Sequence, residues 1–405
     1  MTFASLQIQP DIVRGLKEIG IITPTLIQEK TIPLIKSGKD VIGMSETGSG
    51  KTAAFGIPLL ENIQPKQGLQ VLIMAPTREL AVQISQELNK FGKYIRCSIT
   101  TVYGGVAIGP QIDSIRKANI VVGTPGRLLD HLQRRTLDLS HLTCVVLDEA
   151  DKMVSMGFIE DIRRILDHTP KNRQMLLFGA TISHEIDRLK QEYMHQPSVA
   201  QAEKHVKQNL LKQYYYNIQP HEKFSLLVHL VKKEEVGQVL IFCSARSTVE
   251  IIARNLRAQG MRAEMIHGKL SQSRRLSVIE KFNKGKQKVL VASPVAARGL
   301  HIEGVSHVFN YDLSQDPEEY IHRIGRTARA GLSGKATTLL SHRDYDAFNN
   351  ILERYDVDVK EQPLGQFPKV RFNARQPLHG RRNFGKVRYK KYNNRGNVYK
   401  SNRFN

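Results

Sequence analysis

Ser45-Glu-Thr-Gly-Ser-Gly-Lys-Thr52 is the first stretch of the chain whose residue types and spacing can do chemistry. Gly48 and Gly50 let the backbone curl so that the N–H groups of Thr47, Gly48, Ser49 and Gly50 converge on phosphates at a helix N-terminus. Lys51 reaches the β- and γ-phosphates, and the Thr52 hydroxyl is a ligand for Mg2+. A second stretch, Cys144-Val-Val-Leu-Asp148-Glu149, ends a short apolar run in two carboxylates. Asp148 suits the metal and its water shell, while Glu149 suits the orientation of an attacking water. Far downstream, His322-Arg-Ile-Gly-Arg-Thr-Ala-Arg329 sets Arg326 and Arg329 three residues apart, on adjacent turns if helical. Such guanidinium groups can stabilise a transferring γ-phosphate. Together these groups point to nucleoside triphosphate hydrolysis, with Lys51, Asp148, Glu149, Arg326 and Arg329 as the catalytic set.

These groups need a scaffold that brings loops to one edge. Val41–Met44, Val71–Ala75, Ile120–Gly123, Cys144–Leu147 and Met175–Phe178 are near-continuous apolar runs, each followed by helical spacing, as in Glu79–Phe91. Strands of that kind belong to parallel sheets covered on both faces, with ligands at the carboxyl ends of the strands. The rhythm resumes at Val239–Phe242, Ala263–Ile266, Val289–Ala292, Val308–Tyr311 and Ala336–Leu340. Two α/β lobes of similar plan are expected, joined near residues 203–212. Tyr214–Tyr216 reads as strand packing at the start of the second lobe.

Composition agrees and excludes other classes. In 405 residues, 60 Lys/Arg against 38 Asp/Glu leave a formal charge of +22, which suggests a polyanionic partner. Three scattered cysteines make neither a disulfide framework nor a zinc site. No apolar run approaches the ~18 residues of a membrane span, so no membrane partner is expected. The N-terminus lacks the order of a signal peptide, and a cytoplasmic location is expected. Residues 362–405 carry 12 Lys/Arg, no acids and six aromatics from Phe372 onward. This segment reads as a disordered arm in which cations meet phosphates and rings stack on the bases of a single strand.

Asp148-Glu-Ala-Asp151, with the motifs before it, resembles the DEAD-box ATP-dependent RNA helicases over roughly Phe3 to Ser341. Gly20-Ile-Ile-Thr-Pro-Thr-Leu-Ile-Gln28, with Phe3 seventeen residues before Gly20, resembles the family's Q motif. The resemblance implies ATP and Mg2+ as cofactors, Gln28 on the adenine edge, and Phe3 and His322 among the nucleotide-binding residues. It assigns RNA contact to Pro76, Thr77, Arg78, Gly104, Gly105, Thr124, Pro125, Gly126 and Arg127 in the first lobe. In the second lobe it assigns RNA contact to Arg246, Gln272, Arg275 and Ser293, with Phe242 preceding Arg246. Asp151, Gly179 and Thr181 would couple the lobes. The implied fold is two tandem RecA-like parallel-sheet domains with the basic tail. Residues 1–205 would bind ATP, 206–361 would supply the arginines, and 362–405 would bind RNA. The implied activity is ATP-driven closure of both lobes on single-stranded RNA, which opens short duplexes or remodels RNA–protein complexes.

The chain departs from the family pattern at a few positions. Gly179-Ala-Thr181 lacks the usual serine hydroxyl, which predicts ATP hydrolysis less tightly coupled to strand separation. Ser293-Pro294 stands where Thr-Asp is usual, and His301 where Asp is frequent; Pro294 removes a carboxylate and a backbone donor. Ser45 replaces the usual Ala and Ala328 a usual Gly. A second reading is an RNA-annealing chaperone that works through the tail with weakly coupled ATPase. A related DNA helicase fits Gln28 and Asp148–Asp151 poorly.

Overall fold

A computed structural model describes residues 2–374 except 46–47, 203–209, 234–236, 298–301, 303 and 329–332. Thr47, His301, Arg329 and the tail from Arg375 therefore lie outside the described residues. The first lobe holds β1 (Val41–Met44), β2 (Val71–Met74), β3 (Ile99–Val102), β4 (Ile120–Gly123), β5 (Cys144–Leu147), β6 (Gln174–Gly179) and β7 (Ser198–Gln201). The second holds β8 (Leu211–Asn217), β9 (Gln238–Phe242), β10 (Ala263–Ile266), β11 (Val289–Ala292), β12 (Val305–Asn310), β13 (Gly334–Leu340) and β14 (Val359–Glu361).

Both sheets are seven-stranded and parallel. Their orders are β3-β4-β2-β5-β6-β1-β7 and β10-β11-β9-β12-β13-β8-β14. Renumbered from the first strand of each lobe, the two orders are the same, so the second lobe repeats the plan of the first. Helices cover both faces of each sheet. In lobe one, Val41, Ile73 and Val146 face one core cluster and Ile42, Leu72 and Val145 face the other. In lobe two, Ile241 and Val291 divide from Leu240 and Leu290 in the same way.

The helices form for local reasons. Helix Arg78–Phe91 is capped by the Thr77 hydroxyl, which accepts from the Leu80 N–H at 3.3 Å. Its buried Leu80, Ala81, Ile84, Leu88 and Phe91 recur at helical spacing, and Glu79 and Lys90 complement its dipole. Pro294 begins the short helix Pro294–Ala297, where a missing N–H costs nothing. The proline that looked like the loss of a donor is thus a helix-starting residue.

The tail does not begin at residue 362. Residues 362–374 run along the second lobe, across helices Lys223–Lys233 and Arg246–Ala258. Val370 N–H donates to Ser225 Oγ (3.1 Å), and Asn373 exchanges hydrogen bonds with Asn255 (2.8 and 3.0 Å). The Phe372 ring lies 4.9 Å from that of Phe224. Phe367 and Val370 pack on the core, so this strap is part of the lobe.

Candidate functional site

The sheet topology sorts the site residues into two groups. Strands β5, β6 and β1 are neighbours, and their carboxyl ends carry Asp148–Glu149, Gly179 and the loop Ser45–Gly50. Strands β2, β4 and β3 are also neighbours, and their carboxyl ends carry Pro76–Arg78, Thr124–Arg127 and Gly104–Gly105. In lobe two the equivalent strands β9, β11 and β10 are followed by Arg246, Ser293 and Gln272. One half of the edge thus gathers the nucleotide chemistry, and the other half gathers the groups expected to hold RNA.

In the nucleotide half, Gly48 and Gly50 take φ of 89° and 92°, so the loop reaches the helix Lys51–Asn62 through left-handed backbone. A Cβ at Gly50 would stand 2.3 Å from Gln28 Nε2. The loop is tied down by side chains. Thr25 Oγ1 donates to Ser49 O (2.8 Å), Ser45 and Ser49 share a hydroxyl contact at 2.7 Å, and Lys51 Nζ donates to Ser45 O (2.9 Å). Ser45, which looked a minor departure, thus braces the loop. Gln28 and Phe3 also serve the architecture of lobe one. Gln28 donates to Gly50 O and accepts from Thr25 N–H, both at 3.0 Å, so one donor and one lone pair of its amide join helix Leu26–Lys36 to the loop and the second N–H and lone pair are left over. Phe3 is buried in the core cluster that holds Ile12, Leu16 and Phe55, where an apolar ring is most stable.

Asp148 and Glu149 are both 3% exposed. Glu149 adopts φ 53°, ψ 48°, a left-handed conformation that is strained for a non-glycine residue and is stored at a working site. Burial, reinforced by the neighbouring Glu149 carboxylate, pushes the Asp148 pKa up to about 7 against the pull of Lys51. Burial also opposes ionisation of Glu149, but Lys152, Lys51 and Arg326 outweigh it and hold its pKa below the usual value. Lys152 Nζ lies 2.7 Å from Glu149 Oε1. Two adjacent carboxylates are thereby split into an anion and a group that stays charged only beside a cation.

Arg326 reaches this site from the other lobe. It is 4% exposed, and burial depresses its pKa while the Glu149 charge sustains it. It lies beyond helix Pro317–Ile324, in the turn after Gly325, so the helical spacing expected for Arg326 and Arg329 does not hold at Arg326. His322 stays on that helix and shares a small cavity with Arg326, Phe242 and Pro294. Arg323, which spacing did not single out, is a core group: it binds Glu319, Asp312 O (2.6 Å) and Ser244 Oγ (3.2 Å).

Asp151 joins the two carboxylates to β6. Its Oδ2 accepts from Ala180 N–H (2.9 Å), Thr181 N–H (3.1 Å) and Thr181 Oγ1 (3.4 Å). Two of these donors are backbone and need no hydroxyl at Gly179. A Cβ there would sit 3.4 Å from Asp151 Oδ1, an ordinary contact. Gly179→Ser is therefore expected to fold normally and to change duplexes opened per ATP by less than about twofold, well short of the roughly fivefold (about 1 kcal/mol) that a hydrogen bond without substitute would be worth, because Ala180 and Thr181 already hold Asp151. Parallel unwinding and phosphate-release assays check this, and a severalfold rise would show that the hydroxyl matters.

In the other half, Arg78 lies against Gly104–Gly105, where a Cβ at Gly105 would meet its Nη1 at 2.2 Å. Arg127 holds the following loop through Val106 O (3.1 Å) and Gln111 Oε1 (3.4 Å), and buried His131 steadies Gln111. Arg246 pairs with Glu250 (2.7 Å). Gln272 is buried, and its Nε2 has no hydrogen-bond partner among the described residues. Arg275 has its Nε 3.0 Å from Glu79 Oε1 of the first lobe, and its Nη2 donates to Ala296 O (3.2 Å). It bridges the lobes. Glu79 sits inside a recognisable motif, but its partner lies too far along the chain for spacing to disclose. Glu79→Gln or Arg275→Ala should lower RNA-stimulated ATP turnover roughly tenfold by loosening closure, given the cost of stranding one partner of a buried pair. The exchange Glu79→Arg with Arg275→Glu should recover part of it in steady-state kinetics.

Residues 25–189 match the family model of DEAD/DEAH box helicases, and residues 222–331 match that of the helicase conserved C-terminal domain. A DEAD-box ATP-dependent RNA helicase CshA of Geobacillus kaustophilus is 45% identical over 353 residues, 86% of this chain and 76% of that protein. The CshA of Bacillus subtilis is 45% identical over 347 residues, covering 85% and 70%. Among solved structures, S. cerevisiae Dbp5 bound to RNA and ADP-BeF3 superposes with a TM-score of 0.79 at 29% identity, covering 89% of this chain and 95% of that one. A DEAD box protein from Methanococcus jannaschii is 40% identical, covers 90% and 99%, and superposes at only 0.57.

Proposed function

Because the chain belongs to the family of DEAD-box ATP-dependent RNA helicases, we propose that it hydrolyses ATP at the seam between its lobes and uses closure of that seam to open short RNA duplexes or remodel RNA–protein complexes. The observation that carries this reading is Arg326 of lobe two, buried within electrostatic reach of Glu149 of lobe one.

The loop Ser45–Gly50 and Lys51 bind the triphosphate, with backbone N–H groups and one ammonium aimed at its oxygens. A buried Asp148 whose pKa is driven to about 7 fits a divalent cation, and Asp148 with Thr52 would hold Mg2+. That ion, when bound, neutralises phosphate charge. Glu149, kept anionic, orients the attacking water, and Arg326 stabilises charge that develops on the transferred group. Arg329 is assigned the same task by the resemblance. Asp151 carries the state of the site to β6, and the Arg275–Glu79 pair latches the lobes. Arg78, Arg127, Arg246, Gln272 and Ser293, at the ends of equivalent strands, grip one strand through its backbone, which makes the core contacts sequence-independent. We place the protein in the cytoplasm. Among the described residues no helix is long and apolar enough to cross a membrane, and the relatives are bacterial RNA helicases.

Glu149→Gln is the test. ATP turnover should fall by about 10² to 10⁴, the usual worth of a positioned base, while RNA binding with a non-hydrolysable ATP analogue persists. Strand annealing that survives Glu149→Gln while unwinding never depends on ATP would favour the chaperone instead. EDTA should abolish hydrolysis in the wild type, which checks that the reaction needs a divalent cation.

A further inference from the structure

A cavity of about 340 Å³ opens at the amino edge of the first sheet, at the opposite end of β1 from the loop Ser45–Gly50. It is framed by the turn before β1, the start of β6 and the turn before β7, three strands that lie side by side. Arg173, 5% exposed, forms its buried wall. Lys39, His195, Gln196 and Ser198 form the accessible rim.

The lining carries three basic side chains, Lys39, Arg173 and His195, against one acid, Asp40. Arg173 Nε is buried with no hydrogen-bond partner among the described residues, and only Nη2 is used, on Tyr193 O at 3.5 Å and Met175 Sδ at 3.9 Å. Neither Arg173 nor Lys39 forms a salt bridge among the described residues. The one acid in the wall, Asp40, is committed to the fold. Its Oδ1 accepts from Met175 N–H (2.7 Å) and its Oδ2 from His195 N–H (2.6 Å), so the three strand starts are bolted together around it. Its charge is felt by Arg173 at longer range. The backbone is held open as well: Gly38 has φ 77° and Gln196 φ 40°. A purely structural arginine would be expected to spend its fork on that carboxylate, because bidentate pairing is its strongest option. Here the carboxylate is satisfied by main chain, and Arg173 is one of the residues that line the cavity.

We propose that this cavity is an anion site that takes the phosphate group of a small ligand, separate from the ATP site. A planar fork at the back, an ammonium and an imidazole at the rim, and amide and hydroxyl donors between them are the groups that hold phosphate oxygens. The volume lies at the lower end of ligand pockets, which is ample for a phosphate or diphosphate group.

Pyrophosphate titrated into the full chain by calorimetry tests this, in a Lys51→Ala background that removes the phosphate grip of the ATP site. One equivalent should still bind. Adding Lys39→Gln and His195→Gln, both at exposed positions, should weaken it at least tenfold, the usual consequence of losing a charge-assisted hydrogen bond. Arg173→Lys keeps the charge but loses the fork and should weaken it comparably; should that variant misfold, the rim pair carries the test. In the otherwise wild-type chain, Lys39→Gln with His195→Gln should leave ATP turnover within twofold. Displacement of the bound pyrophosphate by a short single-stranded RNA would assign the phosphate to an RNA backbone, and lack of displacement to a free small anion. No binding to the Lys51→Ala chain, or equal affinity with and without the rim substitutions, overturns the proposal.

Discussion

Arg326→Ala should slow RNA-stimulated ATP hydrolysis by about 10³-fold or more, at the scale of an arginine finger, while ATP still binds. The separation follows from where the groups reside. Lys51, Asp148 and Glu149 all belong to lobe one, so the affinity of the open molecule for nucleotide is set there. Arg326 belongs to lobe two and arrives only when the seam shuts. Its side chain is buried, and its charge is balanced chiefly by Glu149. Removing it therefore also leaves the Glu149 charge to Lys152 and Lys51. Arg326→Lys should not restore the rate, because an ammonium cannot present two parallel donors to phosphoryl oxygens. Fluorescent-nucleotide binding and single-turnover hydrolysis separate the two effects. Equal loss of binding and of rate would place Arg326 in ground-state recognition instead.

The second large effect concerns the C-terminus, where two truncations should give different results. Ending the chain after Ala374 removes ten Lys/Arg and no acids. For every phosphate of a single strand that the shortened chain no longer neutralises, the dependence of log affinity on log salt flattens by about 0.7. RNA affinity at 50 mM salt should thus fall by two or more orders of magnitude, with the gap closing by 200 mM, while ATP turnover at saturating RNA stays near wild type. Ending it after Glu361 should do all this and also uncover Phe224, Ser225 and Asn255, which the strap covers. Removing part of an aromatic pair and three buried hydrogen bonds costs about 3 kcal/mol. At about 2–4 °C per kcal/mol for a lobe of this size, the melting temperature should drop by roughly 6–12 °C. Fluorescence anisotropy across a salt series and thermal melts distinguish the two. A salt slope unchanged by the shorter cut would deny the tail its RNA contacts.

The sequence was most legible where burial is two-sided. The interior strands β1, β2, β4, β5 and β6 are unbroken apolar runs, and their positions match the reading to within a residue or so. The strands it passed over are β3, β7 and β14, reading Ile-Thr-Thr-Val, Ser-Val-Ala-Gln and Val-Lys-Glu. All three lie at sheet edges, where one neighbour suffices and the apolar signal thins out. The phosphate loop and the Asp148–Glu149 pair were legible because contiguous residues carry the chemistry. The Arg275–Glu79 pair was not legible, because no local pattern announces a contact between lobes. Nor were the bonds of Gln28 to Gly50 and Thr25, which join residues through the fold of the loop. The strap was read as tail because Phe367, Val370 and Phe372 follow no helical or strand period; each fits its own niche on lobe two.

The repeated strand order has a consequence for control. The chain uses one fold twice, and on the proposed reading the two copies bring unlike halves of a single reaction centre: one would hold the phosphates and the base, the other the stabilising cation. Along the same seam, both copies would offer equivalent loops to one polynucleotide. Neither copy would then act alone, and the seam would shut for both ligands together. The molecule is in this sense a coincidence detector, a two-input gate whose output is hydrolysis and whose reset is the parting of two matched halves.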